Sequence, residues 1–89
     1  MEPLDRRVAD TAKTFRAVAR ERGLLLTADD RVSEADAAEL VGYAVGSFRN
    51  LRSMGLAPAF FNRPLNGGRV SYRLQDLAEW IEVSREQTI

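Results

Sequence analysis

The groups in this chain best equipped to engage another molecule are guanidiniums. Twelve of its thirteen basic residues are arginine. Between Leu40 and Gln75 five of them occur, Arg49, Arg52, Arg63, Arg69 and Arg73, with no Asp or Glu among them. The whole chain balances thirteen basic against thirteen acidic residues, so the two flanks together carry −5. Arginine offers a flat, permanently charged fork of N–H donors that matches phosphate oxygens, or O6 and N7 of guanine, two bonds at a time. A GC-rich genome accounts for a high arginine total. It does not account for the missing carboxylates, so the stretch reads as a surface for a polyanion.

Other chemistries are poorly provided for. The chain contains neither cysteine nor histidine, which removes disulfides, thiolate metal sites, the commonest general base and the common nucleophile–base pairs. The expectation is a protein that is not an enzyme and uses no cofactor and no metal. Hydrophobic residues at 45% and charged residues at 29% describe an ordinary globular chain rather than a disordered one. No apolar run approaches the roughly 20 residues of a membrane span. The opening "MEPLDRRVAD" does not read as a signal peptide, and a cytoplasmic location without membrane contact is expected. Eighty-nine residues suit one small domain in which nearly every large apolar side chain must join a single core.

Four helices and a hairpin are expected to position the arginines. Leu4, Val8, Ala12, Phe15, Val18 and Ala19 recur at helical intervals, predicting an amphipathic helix from Pro3 to Arg22, closed by Gly23. "GLLL" reads as a strand or tether and "TADD" as a polar turn. "SEAD" is close to a capping box, so a second helix should start after Ser33, with Glu34 favourable in its first turn and Ala35, Ala38 and Val41 or Leu40 facing inward. "GY" ends it. A third helix over about Val45–Met54 should bury Phe48 and Leu51 and leave Val45, Gly46, Arg49, Asn50, Arg52 and Ser53 outward. "APAFF" and "RVSYR" are the strand candidates, joined by "NRPLNGG", whose Asn-Gly supports a turn. In the second strand Val70 and Tyr72 share one face, Arg69, Ser71 and Arg73 the other. A fourth helix is expected over Gln75–Val83, with Leu74, Leu77, Ala78 and Ile81 inward, Trp80 at the margin and Asp76, Glu79 and Glu82 on a face that is solvated or meets a partner. Residues 84–89 read as a frayed tail.

Two short helices across a glycine turn make a helix-turn-helix candidate, and a plain helical hairpin with solvated arginines is its bland counterpart. Residues 32 to 82 resemble the winged-helix module of the excisionase/AlpA group in the MerR superfamily. The resemblance rests on "AAELVG" at 37–42, "SMGLAPA" at 53–59 and "GGRVSYRLQDLAEWI" at 67–81. It implies an α+β, mostly helical winged helix-turn-helix with a two-stranded wing and an extra N-terminal helix. The expected divisions are 1–31 for the N-terminal helix and tether, 32–83 for the DNA-binding module and 84–89 for the tail.

The resemblance further implies binding to double-stranded DNA, with Arg49, Asn50 and Arg52 on the recognition helix and Arg69 and Arg73 on a wing that meets neighbouring phosphates or the minor groove; the turn "RPLNGG", longer than a minimal wing, adds Arg63 as a further phosphate contact. The roles it implies are a recombination accessory factor or small transcriptional regulator, and alternatively a DNA-packaging adaptor of the phage terminase small-subunit kind. A homodimer or cooperative array and an integrase or other protein partner are the expected associations, and the Leu4–Val8–Phe15–Val18 stripe reads either as a dimer surface or as a face packed against its own domain. A protein-interaction module that has lost DNA is the reading from another class. The chain departs from the family at the start of the third helix. Ala44 cannot cap it, Gly46 weakens it, and Ser47 is the substitute cap, which would start the helix a turn late.

Overall fold

Helix α1, Leu4–Glu21, forms because Val8, Ala12, Phe15 and Ala19 lie on one stripe, and all four are buried. Pro3 precedes it in extended conformation, and Gly23 at φ +69° follows its last turn. The computed structural model describes residues 2–62 and 69–86. Within these, α1 is followed by β1 (Arg31–Ser33), α2 (Glu34–Val41), α3 (Val45–Ser53), β2 (Phe61–Asn62), β3 (Val70–Arg73) and α4 (Leu74–Glu86). The result is a small, mostly helical α+β domain with a three-stranded antiparallel sheet in the order β1-β3-β2.

The sheet has one strand more than the sequence suggested. Arg31, Val32 and Ser33 pair with Arg73, Tyr72 and Ser71, so the two-stranded wing becomes a hairpin whose second strand is flanked on both sides. Three residues are too few to show a period of two, and β1 was therefore not legible. "APAFF" supplies less than expected: only Phe61 and Asn62 pair with Ser71 and Val70, and Ala57 to Phe60 run outside any strand. The alternation in β3 is as expected, with Tyr72 fully buried opposite Val32.

Caps set the helix pair. The Ser33 hydroxyl accepts from the Asp36 N–H at 3.2 Å, which starts α2. Gly42 ends it at φ +85°, where a Cβ would have free space. The left-handed backbone, not crowding, is what calls for glycine there. Helix α3 then starts at Val45 with no side-chain cap. The late start at Ser47 does not occur, since Phe48 N–H already reaches the Ala44 carbonyl at 3.0 Å. The inner alanines of α2 are Ala37 and Ala38, whereas Ala35 is exposed. The predicted stripe was displaced because Glu34, the first residue of α2, itself turns inward.

Phe48 is the hub of the core. Its ring lies 5.0 Å from Tyr72, 5.9 Å from Trp80 and 6.0 Å from Tyr43, centroid to centroid, distances at which aromatic pairs attract beyond their buried area. The Trp80 indole N–H donates to the Leu56 carbonyl at 3.0 Å, tying the segment after α3 onto α4. Leu74, Leu77 and Ala78 complete the centre.

Helix α1 belongs to this core rather than standing outside it. Val8, Ala12 and Phe15 join the same cluster as Phe48 and Leu77, so the stripe proposed as a dimer surface is largely used internally. Glu82 is likewise not on a solvated face. It is buried on α4, where Arg7 Nε donates to it at 3.1 Å and the Thr11 hydroxyl at 2.9 Å. Burial pushes the Glu82 carboxyl up, but these bonds and the charges of Arg85 and Arg7 outweigh it, and its pKa falls below the ordinary value. This interhelical support also explains why α4 continues to Glu86 instead of fraying from residue 84. Deleting residues 1–23 is expected to expose that apolar side of α4 and abolish the cooperative thermal transition seen by circular dichroism. A sigmoidal melt in the truncated chain would show α1 to be an accessory.

Candidate nucleic-acid interface

The site candidates lie on α3 and on the β2–β3 hairpin. Residue types on α3 sort by depth. Phe48 is fully buried and Leu51 partly buried, while Val45, Gly46, Ser47, Arg49, Asn50 and Ser53 are exposed. The Asn50 side chain has no hydrogen-bond partner among the described residues and is free to act as donor and acceptor.

Arg52 is differently placed. Its Nε donates to Glu34 Oε2 at 2.6 Å and its second terminal nitrogen to Oε1 at 3.2 Å, a two-pronged pair. The Tyr72 hydroxyl donates to the same Oε2 at 3.2 Å, and Arg49 Nε reaches Oε1 at 3.4 Å. One carboxylate thus joins α2, α3 and β3. Burial raises the Glu34 carboxyl, but Arg52, Tyr72 and Arg49 together lower its pKa below the ordinary value. The Arg52 guanidinium is raised chiefly by its bond to Glu34. The Tyr72 hydroxyl is pushed up to about 12 by burial and by the Glu34 charge. The two arginines differ in what remains free: the Arg49 side chain is 59% exposed, that of Arg52 only 24%.

On the hairpin, Arg69 is exposed and has no ion pair among the described residues. Arg73 donates to Asp29 Oδ2 at 2.9 Å and lies over the Phe61 ring. Arg63 falls outside the described residues. The stretch without acids in sequence is therefore not without acids in space. Glu34 faces Arg49 and Arg52, and Asp29 faces Arg73 and also Arg31. Two guanidiniums against one carboxylate leave each group at +1, and Arg69 adds a third positive charge.

Sequence reasoning missed Arg31 and Glu34. The signal for Arg31 was absent, since its importance comes from pairing across to Arg73. For Glu34 a weak signal existed: an acid directly after a helix cap, on a helix otherwise lined by alanine. No family model, no curated protein and no solved structure matches the chain.

Replacing Glu34 with Gln leaves Arg52 against a neutral acceptor in a mostly dry position. The expected cost is about 3 kcal/mol, the low end for breaking a buried pair, because Arg52 can still reach water. The carboxyl is lowered in the folded state, so its contribution is complete above the unfolded value of about 4.3 and fades as pH drops through the lower folded value. Urea titrations at pH 7 and pH 3 should therefore show a smaller pH-dependent loss in Glu34→Gln than in the parent. Separately, Ala44 holds the extended backbone of a helix cap without the side chain to complete it. Ala44→Ser is expected to stabilise the domain by about 1 kcal/mol in the same titrations.

Proposed function

We propose that this chain binds double-stranded DNA as a winged helix-turn-helix protein, with α2 and α3 as the helix pair, α3 in the major groove and the β2–β3 hairpin as the wing. The observation that carries this reading is the division of α3 into two sides. Phe48, Leu51 and Arg52 are spent on the fold, whereas Arg49 and Asn50 are left outward with donors and acceptors to spare. Arg49 suits guanine or a phosphate, and Asn50 suits the N6/N7 edge of adenine. Arg52 holds α3 through Glu34 rather than reading bases. Because no side chain caps α3, its first-turn N–H groups also point outward unclaimed, a favourable end for phosphate.

The hairpin supports the same reading. It follows α3 directly, carries Arg69 at its exposed side, and its connecting residues 63–68 contain a further arginine and no acid. A module this small reads few base pairs, so use as a recombination accessory factor or small transcriptional regulator calls for paired or repeated sites. The protein-interaction reading draws on one specific observation, the partial neutralisation of four arginines by Glu34 and Asp29.

Fluorescence anisotropy with duplex DNA separates the two. Three to four arginine–phosphate contacts predict a slope of log K against log salt of about −3 to −4. Arg69→Ala should lower that slope by about one without changing sequence preference, and Asn50→Ala should relax preference at one position by about 1–3 kcal/mol. Absence of salt-dependent duplex binding would favour the protein-interaction module.

A further inference from the structure

We propose that Arg31 and Arg73, opposite one another on β1 and β3, form a clamp for a backbone phosphate of duplex DNA on the outer face of the sheet. The clamp rests on the DNA-binding reading and adds to it a residue, Arg31, that lies outside both the helix pair and the hairpin.

The geometry is built rather than incidental. Arg31 and Arg73 are direct partners in the antiparallel register, and their buried neighbours Val32 and Tyr72 fix which face they take. Like charges directly opposite on a sheet repel unless something holds them. Asp29 does so. Its Oδ1 accepts Arg31 Nε at 3.0 Å and the Thr27 hydroxyl at 2.6 Å, and its Oδ2 accepts Arg73 at 2.9 Å. The Thr27 bond first, then those from Arg73 and Arg31, hold its carboxyl far below the usual range, so it stays ionised. The neighbouring Asp30 is claimed by Arg16 on α1.

Beneath the two heads lies Phe61 of β2, with guanidinium carbons 4.7 Å and 5.0 Å from its ring centroid. Phe61 and Ser71 are register partners, and Arg31 also reaches the Ser71 hydroxyl at 3.4 Å. Both heads are therefore carried from their own level in the sheet toward the Ser71 level, in the direction of Arg69. One carboxylate cannot saturate two guanidinium forks, which together offer up to ten N–H donors by chemistry. The group keeps a net positive charge, half-exposed, above the Phe61 ring. A phosphate meets two pre-oriented forks with little side-chain entropy left to lose.

The test is duplex binding by anisotropy across a salt series, with the parent chain, Arg31→Ala, Asp29→Asn and Arg49→Ala, each checked by thermal melt. Arg31→Ala is expected to reduce the salt slope by about one and weaken binding roughly tenfold at moderate salt, with sequence preference unchanged. Asp29→Asn keeps an acceptor for Arg31 but removes the competing charge, and is expected to tighten binding several-fold. A purely structural role for the cluster predicts no tightening. Unchanged or weaker binding by Asp29→Asn, or parent-like binding by Arg31→Ala while Arg49→Ala binds poorly, overturns the clamp and leaves DNA binding standing. A parent chain that shows no salt-dependent duplex binding overturns both.

Discussion

The buried carboxylate of Glu34 is the interaction on which the arrangement of the other parts depends. It sits at the first residue of α2, yet its contacts lie on α3 and β3. A charge so placed loses most of its hydration, and only converging donors make its position tolerable. Arg52 and Tyr72 provide them. Their geometry fixes the distance and rotation of α3 against α2 more narrowly than apolar packing does. That matters here because, among the described residues, five of the twelve buried apolar side chains are alanine. Alanines let helices approach closely but offer few interlocking shapes, so a directional bond supplies the register that bulk would otherwise impose.

The same economy appears at the second interhelical contact. Glu82 of α4 is received by Arg7 and Thr11 of α1, again a buried acid bridging two elements. The chain's net neutrality is thus not evenly spread. Two of its acids are consumed inside, as struts. Asp29 and Asp30 form an exterior turn that holds arginines from the sheet and from α1. Exposed pairs of this kind are weak and yield to salt or to a competing anion, while Glu34 and Arg52 are shielded from both. Arginines that serve the fold and arginines available to a partner are distinguished by how far their heads are shielded, as Arg52 and Arg49 show on the same carboxylate.

Much of this was legible in the sequence where a local rule suffices. Ser33 as a cap, Gly23 and Gly42 as helix ends, the stripe of α1 and the alternation of Val70 and Tyr72 each follow from a few neighbouring residues. What was not legible depends on partners distant in sequence. β1 exists because β3 lies beside it, and three residues carry no period of their own. Glu34 reads as a helpful surface charge until Arg52, 18 positions later, is folded back over it. Glu82 falls at a position that reads as solvated on α4 alone, and becomes interior only when α1 covers it. The strand expected from "APAFF" is cut short: only its last residue, Phe61, joins the ladder opposite Ser71, and Pro58 within the segment has no N–H to give to a ladder. Of the candidate site, the exposed Arg49, Asn50 and Arg69 were readable from periodicity. The competing acids, and Arg31, were not.

A last consequence concerns how α3 and the hairpin behave as one piece. Phe60, just before β2, lies 6.1 Å from Tyr72 and beneath the Arg52 guanidinium at 5.8 Å, ring centroid distances in both cases. Tyr72 in turn stands against Phe48 of α3 and donates to Glu34. The two surfaces that would face a ligand are therefore joined through a continuous set of ring and ionic contacts rather than through the connecting chain alone. Displacing the hairpin would pull Tyr72 from its carboxylate and leave a buried acceptor short of a donor. Such coupling favours a fixed spacing between α3 and the sheet, set before any partner arrives. A rigid spacing spares the ordering cost of binding, and it restricts the partners to those whose own geometry repeats that distance.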